Sequence, residues 1–429
     1  MAKLRTALTA IALVIIALCH PAYAQSADDV AALRQELQTL RVEQAQTAAK
    51  IDRVETAINQ LAGAPVTPPP VPSLTNTATA MPPPSVKVTV APSALDVSGD
   101  IRLRYEANFG GRTARNRDRG VLRARLRGSY AVAQGISVGG ELSTGDPDDP
   151  NSSDITLSNF DDDLSVSLDQ AWLRFKTGKI ELTGGKIPLP FVRTDMVWDG
   201  DVYPQGASAS YANKFGAASI KASALYFMID ESVGGSDSRM IGGQLALGIP
   251  VTSQLKVDFA ASFYDYRLNS ITGGDAGDFR SNRFANGKYL SDFNLLDIIG
   301  SATWSGLGNR WPVKLTADYV HNFGATTKAD TGLLISLFAG RITNQSDWRF
   351  GYGYAQTGID AVFAAFSEDN TTLATNYIQH NLSVEHVIRP HLIVGGTFYR
   401  FKPKSLIDEG INEPDNWRNR LRINLLAEF

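Results

Sequence analysis

The chain has 429 residues, a formal net charge of −3 and a mean hydropathy of −0.12. The slightly acidic balance argues against nucleic-acid binding, which would need a basic excess on one face. No apolar stretch of spanning-helix length follows Gln25, so membrane-crossing helices are excluded. A membrane β-barrel is not excluded: it alternates lipid-facing and lumen-facing residues and therefore looks half polar in sequence.

Residues 1–24 read as a secretory signal. Lys3 and Arg5 precede an apolar run that ends at Ala22-Tyr23-Ala24, an A-x-A cleavage site before Gln25. The run is too short for a membrane anchor. The only cysteine, Cys19, lies inside this signal, and the bulky Leu18 before it disfavours lipidation. The exported chain would then contain no cysteine and could not rely on disulfides.

Residues 25–62 are expected to form a periplasmic coiled coil. Val30, Leu33, Leu37, Leu40, Gln44, Thr47, Ile51, Val54, Ile58 and Leu61 keep an unbroken 3-4 spacing. So narrow an apolar seam suits helices wound around one another rather than packing on a globular core. A lone amphipathic helix is the alternative. The polar pair Gln44 and Thr47 would fix the register at some cost in stability. A trimer is the first expectation, and the seam equally permits a dimer. Residues 63–94 are rich in Pro, Thr and Ala without periodicity, and read as a stiff linker.

From Leu95 to Phe429 the period becomes two. Leu95, Val97, Ile101, Leu103 and Tyr105 face one way, while Asp96, Asp100, Arg102, Arg104 and Glu106 face the other. The scheme recurs with Leu122, Ala124 and Leu126 against Arg123, Arg125 and Arg127, in Leu255–Phe263, and in Val313–Tyr319. About sixteen such segments can be placed. Short turns near 134, 178, 214, 252, 308 and 390 separate long loops at 109–118, 145–163, 188–204, 267–291, 358–372 and 404–415. Alternation of this kind predicts an all-β fold: an even-stranded antiparallel transmembrane barrel with short periplasmic turns and long external loops. The last strand, RLRINLLAEF, sets Leu421, Ile423, Leu425, Ala427 and Phe429 on one face. Phe429 is the candidate signal for the barrel-assembly machinery. A soluble β-sandwich would instead leave this strand as an aggregation-prone apolar edge.

Three stretches carry a family likeness: RGVLRARLRGSYAVAQGISVGGELSTGD at 119–146, GGKIPLPF with MVWDGDVYPQGAS at 184–208, and DWRFGYGYAQTGIDAVFAAFSEDN at 347–370. With them the chain resembles the bacterial putative porin family. The resemblance implies an N-terminal coiled coil before a sixteen-stranded barrel in the Gram-negative outer membrane, with lipid and lipopolysaccharide around it.

Sixteen strands leave an aqueous lumen, whose preference is set by the charges that line it. Arg102, Arg104, Arg123, Arg125, Arg127, Arg418, Arg420 and Arg422 lie on polar faces of the first, second and last strands, which become neighbours on closure. One wall is therefore expected to be positive, with anion preference, and to face a constriction loop at 191–204 bearing Arg193, Asp195, Asp199 and Asp201. In the plainer reading the arginines are solvated lumen residues balanced by Glu106, Glu141 and Glu428. The acidic run 145–154, with Asp161, Asp162 and Asp163 nearby, reads as a solvated external loop; calcium-loop spacing is absent.

An enzyme is not expected: His321, His380, His386 and His391 form no catalytic or zinc motif. No cofactor, metal or nucleic-acid site is anticipated. The competing reading is a structural tether, in which the coiled coil binds peptidoglycan or a periplasmic partner and the barrel only anchors it.

Overall fold

The computed structural model describes residues 95–429 apart from 112–115, 159–163, 272–279 and 406–415. The signal, coiled coil and linker expected over 1–94 lie outside the described residues.

Sixteen long strands, each antiparallel to the next, form one sheet. They are β1 (Leu95–Phe109), β2 (Arg117–Ala133), β3 (Ile136–Thr144), β4 (Val166–Thr177), β5 (Ile180–Lys186), β6 (Gln205–Phe215), β7 (Ala218–Asp230) and β8 (Ser238–Pro250), followed by β9 (Leu255–Arg267), β10 (Asn294–Trp304), β11 (Val313–Asn322), β12 (Thr331–Gly340), β13 (Trp348–Thr357), β14 (Tyr377–Arg389), β15 (Leu392–Pro403) and β16 (Arg418–Glu428). A two-residue strand, Ile155–Thr156, adds to β2 beyond the end of β3. β16 pairs with β1 from Asp100↔Glu428 to Phe109↔Asn419, which closes the sheet into a barrel and leaves no long edge. The expected strand count and closure are thus observed.

The alternation works as the sequence suggests. Leu103, Phe263, Tyr319 and Ile423 stay exposed on the outer surface, while their neighbours Arg104, Tyr264, Asp318 and Arg422 are buried inside. In water such a surface would be costly, and in lipid it is the stable arrangement. No described helix is long and apolar enough to cross a membrane. The outward face also carries aromatic side chains towards the short-turn end, where Trp348 stacks on Phe350 at 6.0 Å and Trp311 stacks on Phe350 at 6.2 Å. Aromatic side chains of this kind suit a membrane–water boundary.

Two glycines serve chain geometry. Gly135, in the turn between β2 and β3, has φ +75° and a position where a Cβ would lie 2.4 Å from the Lys176 carbonyl oxygen. Gly99 lies under the C-terminal ring: a Cβ there would approach Phe429 to 2.4 Å. Phe429 and Gly99 also exchange both backbone hydrogen bonds at 3.0 Å, so the last residue is part of the seam.

The core sits inside the barrel, on one side of the lumen. Loop 187–204 turns inward after β5 and loop 358–376 turns inward after β13. Together they bury Trp198, Met196, Phe363 and Phe366 against Leu225, Tyr264, Leu295 and Val320 of the wall. The expectation that 358–372 is an external loop is corrected here. Its run of Val362, Phe363, Ala364, Ala365 and Phe366 is too apolar for an exposed loop and is buried throughout.

Candidate functional site

The arginine wall is built by register. On the inner face Asp100 of β1 lies opposite Arg125 of β2, Glu106 opposite Arg119, and across the seam Glu106 opposite Arg422. Acid therefore meets base directly, as cross-strand pairs favour. Arg102 and Arg123 face each other as like charges, and each takes a different carboxylate: Arg102 binds Asp154, and Arg123 binds Asp100 at 2.8 Å.

The network is dense. Asp100 also accepts from Arg125 at 2.9 Å and Arg127 at 3.1 Å. Glu141 of β3 accepts from Arg127 at 2.9 Å. Glu106, with no exposed surface, accepts from Arg119 and Arg422, both at 2.8 Å. Removing one partner from such a buried cluster leaves charge uncompensated. Glu106→Gln is therefore expected to destabilise the folded barrel by about 3–5 kcal/mol, read as a lower temperature for the heat-dependent gel shift of the folded protein. An unchanged transition would mean that water screens this end of the seam.

Three loops complete the wall's opposite side. From loop 145–165, Asp154 binds Arg104 at 2.6 Å as well as Arg102, so the acidic run is not simply a solvated loop. From loop 187–204, Asp201 reaches Arg125 at 2.9 Å. From loop 358–376, the Asn370 carbonyl oxygen accepts from Arg420 at 3.0 Å and the Asn370 side chain accepts from Arg422 at 3.0 Å.

Loop 187–204 is fixed from several sides. Val192 exchanges hydrogen bonds with the Gln244 amide of β8, both at 2.7 Å. The Thr194 hydroxyl donates to Asp318 of β11. Asp199 N–H donates to the Phe366 carbonyl at 2.8 Å, which joins the two inward loops. The Trp198 indole stacks on Phe366, centroids 5.9 Å apart and 8° from parallel, and meets Tyr264 edge-on at 5.5 Å.

Between wall and loops lies an almost entirely polar cavity of about 440 Å³. Arg102, Arg104, Arg123, Arg125, Arg127 and Arg422 line one side, and Arg193, Asp195, Asp199, Asp201 and Asp369 the other. Ten of the twelve charged residues singled out in the sequence thus share one cavity. Arg420 stands just outside it, directed at Asn108 and Asn370; Arg418 lies farther along the same strand and is not among its lining residues. The wall carboxylate missed in the sequence is Asp100, which takes the place expected for Glu428, and Asp369 was missed among the loops.

Residues 108–286 match the family model described as "Putative porin". The barrel is also similar to solved porin structures. OprB of Pseudomonas putida in its high-pH form aligns at 13% identity over 78% of this chain and 94% of that one, with a TM-score of 0.53. The anion-selective porin of Comamonas acidovorans aligns at 12% identity over 78% and 99%, with a TM-score of 0.47. At such identities the likeness bears on the fold. No curated protein matches the chain.

Within the lumen the loop carboxyls differ in charge state. Burial, and then the nearby charges of Asp369 and Asp195, push Asp199 up to about 8. Burial likewise raises Glu368 to about 7. Asp154 is different: burial opposes its ionisation, but Arg104 and Arg102 outweigh that and hold it below the usual carboxylate range. Asp154 is thus held charged, while Asp199 and Glu368 titrate near neutrality.

Proposed function

We propose that this chain is an outer-membrane porin, a passive diffusion channel for small hydrophilic solutes and ions. The observation that carries the reading is the polar cavity inside a closed sixteen-stranded barrel, with arginines on one side and loop aspartates on the other. Charge separated across a narrow polar passage creates a transverse field that orients dipolar solutes and disfavours apolar ones. The eight strand arginines are the proposed positive wall, and Arg193, Asp195, Asp199 and Asp201 the constriction.

The remaining parts of the reading follow from the sequence. A signal peptide over 1–24 delivers the chain to the periplasm, and Phe429 marks it for the barrel-assembly machinery. The coiled coil at 25–62 stands in the periplasm and associates as a homotrimer, with the linker at 63–94 between it and the barrel at 95–429. Lipid and lipopolysaccharide surround the barrel.

Planar-bilayer conductance of the purified mature protein tests the proposal. Discrete steps with a reversal potential under a salt gradient are expected. Absence of conductance would overturn the channel reading and favour the tether that binds peptidoglycan. The same experiment carries a pH prediction. Asp199 is neutral below about pH 8 in the folded protein, against an ordinary value of 3.8. Its raised value means that docking of the loop is favoured at low pH and weakens as pH rises through about 8. Above that pH the passage gains one negative charge. Anion preference should therefore fall between pH 7 and 9, and Asp199→Asn should flatten the profile.

A further inference from the structure

A second cavity, of about 380 Å³, lies at the long-loop end and meets the arginine-lined cavity at Ser152, Asp201 and Tyr203. Its size is in the range of small-molecule sites. Its chemistry differs from the passage below it. One side is apolar: Ile229, Leu268 and Tyr289 are partly exposed and pack on the core formed by Phe227, Phe363 and Phe366. The other side is acidic. Asp146, Asp148 and Asp149 line it, and among the described residues they form no ion pair. Among the described residues that line the cavity the one cation is Lys186, tied to Asp169 at 3.3 Å.

We propose that this cavity is a binding site for small organic cations carrying an apolar body, such as ring-bearing quaternary ammonium ions. The pairing of features selects this class. An anion would meet three carboxylates, of which only Asp149 feels a nearby guanidinium, that of Arg280. A metal ion would need converging ligands, and among the described residues no three His, Cys, Asp or Glu side chains stand close enough to hold one. A hydrated inorganic cation would also gain nothing from the apolar side. An organic cation can cover Leu268 and the Tyr289 ring while its charge faces the aspartates, the arrangement by which aromatic surfaces accept quaternary ammonium groups. Solutes would then be gathered by apolar contact and charge before reaching the arginine passage.

The site itself does not depend on the channel reading; only the electrical arm of its test does. Equilibrium dialysis of the folded protein in detergent would compare benzyltrimethylammonium with tetramethylammonium. Burial of the ring should make the former bind about tenfold tighter. A variant with Asp146→Asn, Asp148→Asn and Asp149→Asn should weaken both ions. Asparagine keeps the acceptors that the turn uses, since Asp146 receives the Asp148 N–H at 3.1 Å and Asp149 the Asn151 N–H at 3.0 Å. Leu268→Ala should weaken only the ring-bearing ion. In bilayers, benzyltrimethylammonium added on the long-loop side should reduce the current more than when added on the other side. Equal binding of the two ions, or binding unchanged in the asparagine variant, would overturn the site. Binding by dialysis without any conductance would keep the site and remove the porin reading.

Discussion

Trp198→Ala is expected to enlarge and destabilise the passage while leaving the barrel closed. The indole is fully buried and stacks on Phe366 and against Tyr264; it also lies 6.4 Å from each of Phe227 and Tyr266, centroid to centroid. It is the central contact of both inward loops. Loss of so large a buried side chain typically costs about 3–5 kcal/mol, and here that cost falls on loop docking, because the strand ladder does not involve Trp198. Val192 on Gln244 and Thr194 on Asp318 hold the first half of loop 187–204, whereas the second half keeps Asp199 on the Phe366 carbonyl, beside the lost ring, and the Asp201–Arg125 pair, which faces the polar cavity. The second half, with Asp199 and Asp201, should leave the arginine wall. Single-channel conductance should rise and become noisier, and the heat-dependent gel shift of the folded barrel should stay near its original temperature. Trp198→Phe, which keeps a ring on Phe366, should recover much of the original conductance. If the alanine variant conducts as the parent does, loop 187–204 does not bound the passage.

The strand pattern, the closure and the arginine wall were legible because they depend on parity alone. In a barrel every second residue faces inward, so Arg102, Arg104, Arg123 and Arg125 had no other place to go once their neighbours faced lipid. Adjacency of the first and last strands follows from closure itself. Loop paths are different, since no period governs them. Asp154 looked like part of a solvated acidic run, and nothing in the sequence says that it reaches Arg102 and Arg104 across the lumen. In the sequence Asp100 is one more polar strand residue, although its register opposite Arg125 makes it the hub of three arginines.

Loop 358–376 carried a signal that could have been used. Five consecutive apolar residues in a connection of this length do not suit an external loop, and the same holds for Met196, Val197 and Trp198 in loop 187–204. Apolar content inside a long loop, in a barrel wide enough to admit it, points to inward folding. Arg280 and Asn282 could not have been found in this way. They bind the carbonyls of Ala364, Ser367 and Glu368, and those of Ile359 and Val362, from a third loop. These contacts depend on three-dimensional approach between segments about 80 residues apart in sequence.

Replacing Arg123, Arg125 and Arg127 together by alanine is expected to reverse the charge preference. Nine arginines meet in the network: Arg102, Arg104, Arg119, Arg123, Arg125, Arg127, Arg193, Arg420 and Arg422. Eight carboxylates oppose them: Asp100, Glu106, Glu141, Asp154, Asp195, Asp199, Asp201 and Asp369. The excess is one positive charge, or two while Asp199 keeps its proton below about pH 8. So small an excess predicts weak anion preference, far below what the arginines alone suggest. With three arginines gone, six face eight carboxylates and the sign changes. The reversal potential under a potassium chloride gradient should move from the anion side to the cation side. Asp100 and Glu141 would also lose their principal partners and remain buried, which lowers stability. Adding Asp100→Asn to the triple variant relieves part of that cost and returns one charge, so its preference should lie between those of the parent and the triple variant. A folded, conducting triple variant with the parent's selectivity would mean that permeating ions do not pass the arginine wall.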